Sequence, residues 1–120
     1  MNANEILRAL PHFTGTEHYY RTMFKNILLT DGSHYVREAC QAYWLIDAIG
    51  SYLIGHEQKD SFASIKLQVK DHAAVLTLDD GNGNVFARQE IEATDFPLES
   101  IQFYAAHDSE RWIILLPSEY

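Results

Sequence analysis

The stretch FASIKLQVKDHAAVLTLDDGNGNVFARQEI, residues 62–91, decides how this chain folds. FASIKLQV alternates apolar and polar residues, AAVLTL and VFARQEI follow as further strand-like runs, and short polar links separate them. A period of two sends alternate side chains to opposite faces of a strand, so the pattern describes a sheet with one covered face. The link DDGNGN (79–84) admits a calcium loop or a tight reversal. A helix-flanked calcium loop needs oxygen ligands at its first, third and fifth positions, glycine at the sixth and a bidentate Glu at the twelfth. Counting from Asp80 puts Val85 sixth and Ile91 twelfth, while counting from Asp79 puts Glu90 twelfth but Gly81 and Gly83 where ligands belong. Both flanks read as strands. Asp80-Gly81 and Asn82-Gly83 are the dipeptides that accept the positive φ of hairpin turns, so the stretch predicts antiparallel strands and no metal site.

Downstream, Thr94-Asp95-Phe96-Pro97 interrupts the pattern before IQFYAA (101–106) and RWIILL (111–116), which flank His107-Asp108-Ser109-Glu110 as another hairpin. The second half therefore predicts an antiparallel β-meander of about five strands. Upstream the period changes. Asn4 is a candidate cap for a short helix through Ala9, closed by Pro11. The runs His18 to Phe24 and Ile27 to Thr30 fit either strands or an irregular helix. After Asp31-Gly32, Ser33 is the candidate cap for a helix through HYVREAC, and AYWLIDAIGSYLI (42–54) makes a further helix that Gly55 ends. The expectation is an α+β fold with N-terminal helices packed on a C-terminal sheet, as one domain spanning 1–120.

A chain of 120 residues buries enough surface to fold without disulfide or metal. Cys40 is its only cysteine, so no internal disulfide and no CxxC pair is available. The start, MNANEILRAL, has no basic segment leading into an apolar one, and the expected location is the cytoplasm. Net charge is −8, with 5 basic against 7 acidic residues in 1–60 (−2) and 4 against 10 in 61–120 (−6). An acidic chain is repelled by phosphate backbones, which argues against ordinary nucleic-acid binding and leaves basic partners or nucleic-acid mimicry.

HFTGTE (12–17), TDG (30–32), AYWLIDAI (42–49), DDGNGN (79–84), TDFPL (94–98) and LLPSEY (115–120) together resemble a family of small uncharacterised bacterial proteins, a domain-of-unknown-function family. The resemblance implies a single cytoplasmic domain with a conceivable mobile-element setting, and carries over no catalytic or binding residues.

Candidate chemistry is sparse. On the 42–54 helix, Leu45, Ile46, Ala48, Ile49, Tyr52 and Leu53 form a core stripe. The other side carries Tyr43, Trp44, Asp47, Gly50, Ser51 and Ile54, too aromatic for a solvated face. It is expected to be covered, by a second subunit in a homodimer or by the HFTGTEHYY segment. His12 and His18, close in sequence to Thr14, Thr16, Glu17, Tyr19 and Tyr20, form the densest polar group. None of His12, His18, His34, His56, His72 and His107 lies in an HxH or HExxH pattern, and no Walker, Rossmann or GxSxG signature occurs. No metal or cofactor is expected. The leading expectation is a protein-interaction or oligomerising module using His12, His18, Tyr43, Trp44 and Asp47 as candidate interaction or polar residues. Two others stand beside it, a small hydrolase-like enzyme using Asp47 with His12 or His18, and an acidic inhibitor or nucleic-acid mimic.

Overall fold

The computed structural model describes residues 2–120. Its first helix, α1 (Ala3–Ala9), is capped by the Asn2 side chain, which accepts from the Glu5 amide at 2.9 Å. The cap thus lies at Asn2 and not Asn4, because the oxygen must stand three residues before the amide that it satisfies. Two short strands follow, β1 (Tyr20–Arg21) and β2 (Ile27–Leu29), resolving the ambiguous segment as strands. Helix α2 (Asp31–Ala39) is capped by Thr30, and Ser33 closes the reciprocal capping box from the third helical position. Ser33 is not the cap itself. Helix α3 (Tyr43–Leu53) ends before Gly55, which takes φ 88°, a left-handed conformation that glycine adopts without a steric cost.

The remaining strands are β3 (Phe62–Lys70), β4 (Ala73–Asp79), β5 (Val85–Ile91), β6 (Ser100–His107) and β7 (Trp112–Leu115). They join β1 and β2 in one seven-stranded sheet of order β1-β2-β7-β6-β3-β4-β5, two strands more than sequence periodicity predicts. The order also corrects the meander. β6 returns to pair with β3, so β6-β3-β4-β5 is a Greek key. All pairings are antiparallel except β2 with β7, where Ile27 lies beside Trp112.

DDGNGN is a hairpin turn. Gly81 and Gly83 take φ 90° and 89°, and the Asp80 carboxylate accepts from the amides of Asn82 and Asn84 and from the Asn84 side chain. Those bonds, first the Asn84 side chain, hold the Asp80 carboxyl below its ordinary pKa. The acid is occupied in stabilising the turn.

One sheet face carries Ala63, Ile65 and Leu67 of β3, Leu76 and Leu78 of β4, Phe103 and Ala105 of β6 and Trp112 and Ile114 of β7, all buried. They share a core with Ile6, Val36, Leu45, Ile46, Ile49 and Leu53 of the helices. Among the alternate positions, Lys66, Gln68, Arg88 and Glu90 are exposed. The helices therefore cover one face and leave the other open.

Candidate functional site

The aromatic side of α3 is covered in part from within the chain, at Trp44 and Gly50, while Tyr43, Ser51 and Ile54 are exposed. Trp44 meets Phe96 edge-on at 6.5 Å, and the Phe24 ring lies so close to Gly50 that a Cβ there would collide with it. Gly50 is buried, contrary to its placement on the far side of a helical wheel. Tyr43 is exposed, with the Arg37 guanidinium 4.7 Å above its ring, and a hydrogen bond to Glu38 raises its pKa. Asp47 is half-buried. The covering segments are the β5–β6 connection and residue 24, not HFTGTEHYY.

HFTGTEHYY packs instead at the N-terminus of α2. Thr16 accepts from the Asp31 amide at 2.8 Å and donates to the His18 carbonyl at 2.6 Å. The Asp31 carboxylate accepts from the Glu17 amide at 2.8 Å and the Tyr20 hydroxyl at 3.0 Å. His12 borders the same shallow pocket, with Thr16, Glu17 and Asp31. The carboxylate facing this segment is thus Asp31. Sequence reading places Asp31-Gly32 before the helix, with Ser33 as its cap, although an acid one position past Thr30 is what a helix N-terminus favours.

A second carboxylate serves the same helix end. Glu119, in a 3-10 turn (Pro117–Glu119), accepts from the Thr30 hydroxyl at 2.6 Å, the Gly32 amide at 2.9 Å and the Leu116 amide at 2.9 Å. Ser33 donates to the Ile114 carbonyl at 2.6 Å. First-turn amides of α2, left without helical partners, are satisfied by the chain's own side chains, Asp31 by Thr16, Gly32 by Glu119 and Ser33 by Thr30. Deeper along α2, His34 stacks on Tyr20 at 3.8 Å, and its Nδ1 lies 3.0 Å from an Arg37 nitrogen. Arginine only donates, so Nδ1 accepts and His34 is the neutral Nε2–H tautomer. Burial, then the Arg37 charge, lowers its pKa below 6.5.

This cluster predicts acid sensitivity with a definite sign. Unfolded His34 takes up a proton near 6.5, which the folded chain resists, so stability falls as pH drops below that value. Asp31, held below 3.8 first by the Glu17 amide, adds a second loss as pH falls through its depressed folded value. Melting curves from pH 7.5 to 5 are expected to fall for the parent chain and flatten in His34→Phe, which keeps the stack. Equal slopes would contradict the assignment. Elsewhere, burial pushes the Cys40 thiol up to about 11, leaving it protonated and unreactive.

The open face of the sheet presents a different surface. Phe62, Tyr104 and Tyr120 pack together with ring centroids 5.2, 5.6 and 5.3 Å apart. They border a cleft of about 450 Å³ with Ser64, Lys66, Asp79, Gly81, Gly83 and Gln102. Gly81 approaches the Phe62 ring so closely that a Cβ would lie 2.9 Å from it. Residues 119 and 120 straddle the sheet, Glu119 bonded to α2 and Tyr120 on the open-face rings. Helical and strand periodicities do not reveal this cleft, because its rings come from two strands, β3 and β6, and a tail, distant from one another in sequence.

A model for a family of unknown function, DUF6876, matches residues 4–120. The chain belongs to this family. The DUF6876 assignment agrees with the domain-of-unknown-function resemblance read from the sequence. In this family member the six quoted stretches meet one another. HFTGTE and LLPSEY both close on TDG, AYWLIDAI meets TDFPL through Trp44 and Phe96, and DDGNGN meets LLPSEY around the Phe62 ring. A crystal structure of a protein of unknown function from Enterococcus faecalis is similar, with a TM-score of 0.58 and 16% identity over 79% of this chain and 90% of that one. That likeness concerns the fold. No curated protein matches the chain.

Proposed function

We propose that this chain is a non-enzymatic protein-interaction module, and that its uncovered sheet face binds a basic segment of a partner protein. The carrying observation is the cleft at Phe62, Tyr104 and Tyr120 on a face without helices. Aromatic rings on an otherwise polar surface are the usual anchors of protein interfaces, and a guanidinium or ammonium group is attracted to their faces. Asp79 and Lys66 both line the cleft with opposite charges, and the −6 balance of residues 61–120, which build most of the sheet, favours a cationic occupant seated towards Asp79. The polar groups at the start of α2 bond to each other, which supports a structural role for Asp31 and leaves the open face as the better candidate surface. His12, His18 and Tyr43 remain exposed and Asp47 half-buried away from this cleft, so the reading assigns them no contact with the partner.

Fluorescence anisotropy with a labelled oligoarginine peptide tests the reading. Tyr104→Ala and Asp79→Asn are each expected to weaken binding, the first by roughly tenfold, as expected when an anchoring ring is truncated. Equal affinity for the parent chain and both variants would overturn it.

A further inference from the structure

Strand β5 is the last of the sheet, and its outer edge has no partner strand among the described residues. Seven residues long, it offers a row of free amides and carbonyls that another strand can pair with. Proteins usually guard such an edge with proline, a bulge or like charges. Residues 86–91, FARQEI, contain no proline, and the irregularity of the β4–β5 pair leaves Phe86 as an extra residue at the start of this segment, with regular pairing from Ala87 to Ile91. Their only charges are Arg88 and Glu90, both on the open face, 54% and 72% exposed, and 3.2 Å apart.

We propose that β5 pairs antiparallel with β5 of a second copy of this chain, about a two-fold axis through Gln89. The choice of register follows from charge. Side chains stay on their proper faces only if the axis passes through a residue, because a one-residue slip exchanges the two faces. An axis through Arg88 sets Arg88 against its own copy, and one through Glu90 sets Glu90 against its own copy. An axis through Ala87 leaves both charges facing uncharged residues, and one through Ile91 opposes Glu90 with Glu92. The Gln89 axis alone among these places Arg88 opposite the second copy's Glu90 twice, with Ala87 opposite Ile91 on the helix-covered face. Opposite charges directly across a strand pair stabilise it, and like charges destabilise it. The two-fold axis is perpendicular to the sheet, so the open faces of both copies point the same way. The β5 edge is separate from the aromatic cleft, so pairing of two copies does not depend on the basic partner.

Sedimentation velocity on the full chain tests it by complementary charge reversal. The parent chain is expected to be a dimer. Arg88→Glu and Glu90→Arg each convert two attractive pairs into two repulsive ones and are expected to weaken dimerisation by roughly tenfold to a hundredfold. An equimolar mixture of the two variants is expected to recover the dimer, because each copy then faces opposite charges again. The mixture does not restore the pair within either chain, so recovery reports only the contact between copies. Circular dichroism melting of both single variants near the parent value establishes that they fold. A parent chain that stays monomeric, single variants that remain dimeric, or a mixture that stays monomeric would each overturn the proposal.

Discussion

Trp112→Ala is expected to lower unfolding free energy by about 4 kcal/mol, the range found when a buried aromatic side chain is truncated to alanine. Trp112 is 1% exposed, sits at the start of β7, and touches His107 and His56 at ring distances of 5.1 and 6.1 Å. Its indole nitrogen donates to Glu57 at 3.1 Å, and that same oxygen accepts from the Gly55 amide. Removing the ring opens a cavity where the α3–β3 connection, β6 and β7 meet, and it frees an acid whose pKa the indole holds down. For a domain of this size the loss corresponds to a fall of roughly 15 °C in melting temperature. Trp112→Phe keeps most of the volume and loses only the indole donor, so it is expected to cost about 1 to 2 kcal/mol. Near-parental melting of the alanine variant would contradict the packing described for this end of the sheet.

Glu119→Ala is expected to cost about 3 kcal/mol, because charged hydrogen bonds contribute more than neutral ones and their loss strands buried partners. Thr30 is 3% exposed and Gly32 is buried, so water does not readily replace the carboxylate. Gly32→Ala attacks the same contact from the opposite side. Its Cβ would lie 2.5 Å from the Glu119 carboxylate and 2.7 Å from the Leu116 side chain, so these side chains must shift and the carboxylate leaves its place. Glu119→Gln retains one acceptor oxygen and is expected to fall between parent and alanine variant. Thermal melting of the three variants reads the order directly. A Glu119→Ala chain that melts with the parent would show that the tail contributes nothing to anchoring α2.

What was legible in the sequence follows the range of the forces involved. β3, β4 and β5 are written locally, by period-two alternation and by the Asp-Gly and Asn-Gly turns, and α3 by its apolar stripe. β1 and β2 are too short for a period, and β2 is a strand because it lies parallel to β7, from Ile27 beside Trp112 to Leu29 beside Ile114. The return of β6 to β3 is also invisible locally, since a hairpin signal says that two strands turn back and not where the pair then docks. At TDGS the cap-capable Thr30, Asp31 and Ser33 compete, and only the Glu119 contact to Thr30 and Gly32 reveals how that helix end is satisfied. Cover for the aromatic side of α3 was expected from the sequence and reaches only part of it, since Tyr43, Ser51 and Ile54 are exposed. A helical wheel does not say which segment supplies it, and Phe96 and Phe24 do so here. The cleft has no sequence signature at all, because Phe62, Tyr104 and Tyr120 are assembled only by the Greek key and the tail.

The central claim is that the helix-free face of the sheet is the binding surface, and amide chemical-shift mapping of the isotope-labelled chain with oligoarginine peptide tests it most directly. The account predicts saturable shifts concentrated at Phe62 to Lys66, Asp79 to Gly83, Gln102 to Tyr104 and Tyr120, and their loss in Tyr104→Ala. Shifts spread evenly over the acidic surface, or centred on α2 and α3, would contradict it.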